Sequence, residues 1–238
     1  MRKILAIPLV LGLACTMGPP TDAPPPPAPS EGTGLLPASE IVTDCFDWPT
    51  REFAKNRHAE IGTRLTKGDR AVDFTLQDTR GTPVRLADLL DTKPVLLVQG
   101  SLTSPRLQDS RLDLEGTVKR FGDEVAVLFV YNVEAHPAGK DPSPYKGRPW
   151  TRSTSTRGQA RSYAERVHDA AEVARDTSMQ VVVDAWDAPG ANPIWCTYGT
   201  CAFCSWLIRQ DGTIALQQEW HDTRPTEAAI EALLATAP

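Results

Sequence analysis

The sequence predicts an α/β domain: a mixed central sheet flanked by helices, with a β-hairpin added on its N-terminal side. Three observations carry this. Two continuous apolar runs, Pro94–Gln99 and Val125–Tyr131, have the length and the lack of alternation of strands buried on both faces. Each run leads into a helical pattern, Arg106–Phe121 after the first and Thr156–Arg175 after the second, which is the rhythm of parallel strands joined by crossovers. Near the end, Asp211-Gly212 stands between Ser205–Arg209 and Thr213–Gln217, a strong hairpin signal.

The elements follow in order. Arg2 and Lys3 precede the apolar stretch Ile4–Ala14, which is shorter than the ~20 residues that span a bilayer. This reads as an export signal over residues 1–14. Residues 15–38 include Pro19-Pro20 and Pro24-Pro25-Pro26-Pro27, favour an extended chain and cannot build a core, so they read as a tether. The folded domain is assigned to residues 39–238. Within it, Trp48–Ile61 reads as a short helix. Gly68–Leu76 and Gly81–Leu86 read as the added hairpin. The stripe Tyr163, Val167, Ala170 and Ala174 gives the long helix one buried face. Met179–Asp184 is a further strand, and Thr226–Ala235 closes the chain as a helix.

Composition narrows the function. Of the 238 residues 41% are hydrophobic and 23% charged, as in a globular domain, and the net charge of -5 with no basic run gives no support for nucleic-acid binding. No metal and no cofactor is expected. Leu11-Gly12-Leu13-Ala14-Cys15 resembles a bacterial lipoprotein signal, in which Cys15 becomes the lipidated N-terminus, although Gly12 and Leu13 depart from the usual pattern. The resemblance implies an exported, lipid-anchored protein of the cell envelope or periplasm. A plain secretory signal with an incidental cysteine, or an uncleaved membrane helix, stays open beside it. With Cys15 set aside, Cys45, Cys196, Cys201 and Cys204 form an even set that suits two disulfides in an exported chain, with three possible pairings.

The strand–helix order resembles the thioredoxin fold, and the opening hairpin resembles the extension of peroxiredoxin-type members. Between the first apolar run and its helix lies Gly100-Ser101-Leu102-Thr103-Ser104-Pro105. After the second come Tyr131-Asn132-Val133-Glu134-Ala135-His136-Pro137. Together they resemble the iodothyronine deiodinases, selenoenzymes whose active turn reads Gly-Ser-Cys-Thr-Sec-Pro and whose second motif reads Tyr-Ile-Glu-Glu-Ala-His-Pro. The likeness runs from about Gly68 to Leu234 and is poor over Ala138–Gln159. It implies an oxidoreductase ancestry, with Ser104 at the selenocysteine position and Glu134 and His136 in the active cleft. The departures matter more. Leu102 and Ser104 replace the cysteine and the selenocysteine, no second histidine stands near Gln159-Ala160-Arg161, and Ser205 takes the place of a frequent arginine.

A serine oxygen cannot cycle through the oxidised states that reductive chemistry on sulfur or selenium uses. Deiodination at Ser104 is therefore not expected. A hydrolytic Ser104 would need a base such as His136 within reach, and the turn lacks a nucleophile-elbow pattern. Ser104 and Thr103 are expected instead to cap the helix that follows. Chemistry could have moved to Cys196-Thr197-Tyr198-Gly199-Thr200-Cys201-Ala202-Phe203-Cys204. This run contains a Cys-x-x-Cys pair but lies between a loop and a strand, without a helix N-terminus to lower a thiol pKa. Structural disulfides, a relocated redox pair and a metal site remain open for it. Trp186, Trp195, Tyr198, Phe203 and Trp206 crowd the same region, as core or as the wall of an apolar pocket. Two functions follow: a thiol-based oxidoreductase acting on a thiol or small-molecule partner, or a non-catalytic binding protein that keeps the cleft of Ser104, Glu134 and His136.

Overall fold

The computed structural model describes residues 33–42, 62–139, 141, 143–145, 156–175, 177–185 and 192–236. The helix expected over Trp48–Ile61, together with Cys15, Cys45 and Trp186, lies outside them. In chain order the elements are β1 (Gly62–Thr63), β2 (Thr75–Asp78), β3 (Pro83–Arg85), α1 (Leu86–Leu90), β4 (Val95–Gly100), α2 (Pro105–Phe121), β5 (Ala126–Tyr131), α3 (Tyr163–Arg175), β6 (Gln180–Val183), α4 (Pro193–Tyr198), β7 (Gly199–Thr200), β8 (Phe203–Ile208), β9 (Ile214–Gln218) and α5 (Thr223–Leu234). A 3-10 turn, Ala38–Glu40, precedes them.

Seven strands form one sheet in the order β3-β2-β6-β5-β4-β8-β9, and β1 pairs with β7 apart from it. Strands β4, β5 and β6 are parallel neighbours. Strand β8 returns antiparallel beside β4, and β9 beside β8. The hairpin β2–β3 joins the other side through β6. All six residues of β4 are buried, as its unbroken apolar run predicts for a strand covered on both faces.

Alternation divides the core in two. Leu96 and Val98 join Phe129, Tyr131, Val183 and Leu207 under α2, α3 and α5. Val95 and Leu97 join Val130, Val182, Cys204 and Trp206 on the other face, with Phe74, Leu86 and Tyr198. The turn after β4 and the start of β8 therefore share one end of the sheet, with helix α2 on one face and the cysteines on the other.

Some elements depart from the sequence reading. Helix α3 begins at Tyr163 instead of Thr156. The residues before it pair with a loop: Ala138 N–H donates to Arg157 O at 2.7 Å and Gln159 N–H to Asp141 Oδ2 at 2.8 Å. Its buried face carries Arg166, Asp169, Ala170 and Val173, while Tyr163, Val167 and Ala174 flank it. The first hairpin strand is Thr75–Asp78, which overlaps the expected run Gly68–Leu76 only at its end; the earlier part makes single bridges, Val72 to Leu36 and Arg70 to Thr213. Leu36 lies in the stretch read as tether and here touches the domain. Helices α1 and α4 are too short, and α4 too uniformly buried, to show a helical period. Among the described residues no helix is long and apolar enough to cross a membrane.

Candidate functional site

The turn between β4 and α2 is held by the segment after β5, residue against residue. Thr103 N–H donates to Glu134 Oε2 at 2.9 Å, and Tyr131 OH donates to Glu134 Oε1. Ala135 N–H donates to Ser101 Oγ at 3.1 Å and His136 N–H to Thr103 Oγ1 at 2.9 Å. Gln159 holds Glu134 from behind, accepting from its N–H at 3.0 Å and donating to its carbonyl at 2.8 Å. The two motifs that resemble the deiodinases are thus brought together. Glycine suits the start of the turn, because a Cβ at Gly100 would stand 3.2 Å from the rings of both Phe129 and Phe203, closer than an ordinary contact.

Ser104 is placed differently from the expectation. It stands at the N-cap of α2 with no capping hydrogen bond, and its Oγ is buried and has no partner. The capping reading is therefore corrected for both residues. The Thr103 hydroxyl is engaged by His136 N–H, and the Ser104 side chain is turned inward, where it is 0% exposed. The same observation removes the hydrolytic reading, since no base reaches Ser104 Oγ.

Burial sets the protonation of the cage. Desolvation raises the Glu134 carboxyl above the usual carboxylate range, against the hydrogen bonds from Tyr131 and Thr103 that favour its charge. Desolvation and the neighbouring Glu134 push the Tyr131 phenol well up. His136 is half-buried, which lowers its pKa, and its ring lies 6.3 Å from that of Tyr145. Beneath the cage, buried Arg166 donates to the carbonyls of Asp184 and Ala185. The Asp184 carboxylate accepts from Ile194 N–H and Trp195 N–H at 3.1 and 2.9 Å, and so caps the first turn of α4. Burial raises its pKa to about 6.

The sulfur site lies on the other face of the same end. Cys201 and Cys204 are joined in a disulfide, with Cα atoms 6.0 Å apart. Cys196, inside α4, is also disulfide-bonded. In the antiparallel ladder Cys204 stands opposite Gln99 and Phe203 opposite Gly100, so the pair begins one residue from the turn. Both cysteines are 0% exposed. Trp195, Tyr198, Phe203 and Trp206 are all buried, so these four aromatics are core and not the wall of an open pocket. Among the described residues no cluster of three His, Cys, Asp or Glu is arranged to hold a metal. A hollow of about 590 Å³ opens at the opposite end, beside Lys93, Asp123, Glu124 and Arg209, away from both motifs.

The sequence reading missed His221. Its ring packs edge-on against Phe203 at 5.2 Å, and Nδ1 lies 2.9 Å from Ser205 Oγ. Ser205 Oγ also lies 3.0 Å from Gln218 Oε1, which accepts from Asp222 N–H. His221 Nε2 is buried and without a hydrogen-bond partner. Burial lowers the His221 pKa to about 4. Only its place just after the closing strand, at the same end as the turn, could have signalled it.

No family model matches the chain, and no curated protein matches it. Solved structures do. A hypothetical protein from Sinorhizobium meliloti is 18% identical with a TM-score of 0.53, over 74% of this chain and 88% of that one. An uncharacterised conserved protein from Geobacillus kaustophilus is 13% identical with a TM-score of 0.53, over 74% and 86%. A putative thiol:disulfide interchange protein from Chlorobium tepidum is 19% identical with a TM-score of 0.49, over 71% and 99%. Likeness at this level concerns the fold. With the sheet order, the crossover helices and the added hairpin, it shows that the chain has a thioredoxin-like α/β fold.

Proposed function

We propose that this protein is an exported thiol–disulfide oxidoreductase, of the deiodinase-like branch of the thioredoxin fold, whose redox couple is Cys201–Cys204. One observation carries the reading. A Cys-x-x-Cys pair is closed as a disulfide at the start of β8, at the end of the sheet where the turn after β4 lies, with Cys204 in register with Gln99 of β4. Ser104 cannot supply the couple, because its oxygen does not cycle between oxidised and reduced states. The reaction is an exchange: two thiols of a partner become a disulfide as the Cys201–Cys204 bond opens to two thiols, with two electrons and two protons transferred. Glu134 and His136 hold the turn after β4 at the same end of the sheet. Cys15 is the lipidated residue of the exported protein, and the proline-rich segment after it, ahead of the docked Leu36, is the tether to the membrane.

The test is an exchange assay with glutathione and a disulfide-bonded protein substrate. Exchange is expected in the intact protein, lost in Cys204→Ser and retained in Ser104→Ala. Equal exchange by Cys204→Ser and the intact protein contradicts the reading.

A second reading is favoured by the absence of solvent exposure at both sulfurs. In it the disulfides are staples, and the protein is a non-catalytic binder that retains the cleft of Ser104, Glu134 and His136. No exchange activity, with a ligand that protects the turn from amide exchange, is its expected signature.

A further inference from the structure

The disulfide lies at one end of the sheet, yet neither cysteine reaches solvent. A short piece of chain from before the sheet provides part of the cover. Strand β1 pairs antiparallel with β7, Gly62 opposite Thr200 and Thr63 opposite Gly199, and β7 runs directly into Cys201. The N–H groups of Arg64 and Leu65 both donate to Tyr198 O, at 2.9 and 3.3 Å. Trp206 Nε1–H donates to Leu65 O at 2.8 Å. The Leu65 side chain packs on the cluster that contains Cys201, Cys204, Tyr198 and Trp206.

The fit depends on one glycine. A Cβ at Gly199 would stand 2.8 Å from Thr63 Cα and 2.9 Å from Gly62 O, so any larger residue pushes β1 away. Among the described residues the cover is short. A pair of two-residue strands is not stable alone, and segments of that kind open well before the domain unfolds.

We propose that Gly62–Leu65 is a strap that controls access of thiols to the Cys201–Cys204 disulfide. With the strap down, the sulfurs are sealed between β8 and the aromatic core. With it lifted, a thiolate of an incoming dithiol attacks one sulfur, the S–S bond breaks and the electron pair leaves on the other. The second thiol of the reagent then closes a cyclic disulfide, so two electrons and two protons pass to the cysteines. The strap's purpose rests on the oxidoreductase reading; its mechanics do not.

The test compares the intact chain with Gly199→Ala and Trp206→Phe. Each is treated with dithiothreitol in native buffer, and free thiols at Cys201 and Cys204 are counted by alkylation and mass spectrometry. Reduction is expected to run about tenfold faster in each variant, the factor that one lost net hydrogen bond gives to an opening equilibrium. Amide exchange at Arg64 and Leu65 is expected to rise by the same factor, with Leu97 and Leu128 unchanged. Faster exchange at Arg64 and Leu65 with an unaltered reduction rate overturns the proposal. So does an intact protein that is reduced as fast as its urea-unfolded chain. If Gly199→Ala loses protection at Leu97 and Leu128, Trp206→Phe, which keeps a ring and removes one bond, decides the matter. Faster reduction of the variants without exchange activity in the intact protein upholds the strap and refutes the oxidoreductase reading. Exchange activity that is indifferent to the strap does the reverse.

Discussion

Ser104 is held where its hydroxyl gains nothing. A buried hydroxyl without a partner costs about 1–3 kcal/mol, and no capping bond offsets it. Ser104→Ala is therefore expected to leave stability unchanged or raise it by about 1 kcal/mol, read from urea unfolding; a loss of that size would show a partner for the hydroxyl. Glu134 is the opposite case. Its two oxygens satisfy Tyr131 OH and Thr103 N–H, both buried. Glu134→Ala strands both donors and is expected to cost about 2–4 kcal/mol, while Glu134→Gln, which keeps an acceptor and the side-chain shape, costs less. Equal costs for the two would mean that the carboxylate is packed and not hydrogen-bonded. Glu134 and His136 were legible as residues of a motif. Gln159 was legible only as the absence of a histidine, because a side chain that grips a backbone from 25 residues away leaves no local pattern.

At the scale of the elements, the long pieces could be read and the short ones could not. Strands β4 and β5 stand out because burial on both faces writes an unbroken apolar run, and β8–β9 because Asp211-Gly212 fixes the turn. Helix α3 was misplaced at its start because Gln159 and Arg157 answer to a distant loop and not to helix propensity. Its buried Arg166 broke the expected stripe because a guanidinium there finds carbonyls at Asp184 and Ala185. Helix α4 owes its start to Asp184, ten residues from the first amide that it caps, which no short-range cap pattern shows. Asp184→Ala is expected to destabilise the domain by about 1–2 kcal/mol through those two amides. It is also expected to loosen α4 first, seen as faster amide exchange at Ile194 and Trp195. Unchanged exchange at these two positions would remove the capping role.

Over the whole molecule, two buried groups at the same end of the sheet work against each other as pH falls. The His221 pKa is lowered from 6.5 to about 4, so the unfolded chain takes up its proton first, and stability is lost as pH falls from about 6.5 to 4. The Asp184 pKa is raised from 3.8 to about 6, so its contribution is present at low pH and is lost as pH rises from about 4 to 6. His221→Gln is expected to shrink the difference in unfolding free energy between pH 7 and pH 4.5 by about 2 kcal/mol. An unchanged difference would mean that the imidazole is not desolvated.

The fold clasps the turn after β4 to the segment after β5, the turn itself holds no sulfur, and a disulfide begins on the neighbouring strand. The measurement that tests this most directly is the reduction potential of Cys201–Cys204, by mass-resolved alkylation across a series of thiol buffers. A potential between about -120 and -270 mV, the span of thioredoxin-class enzymes, is the predicted result. A pair that stays closed until below about -300 mV is a structural staple, and contradicts a redox role for this protein.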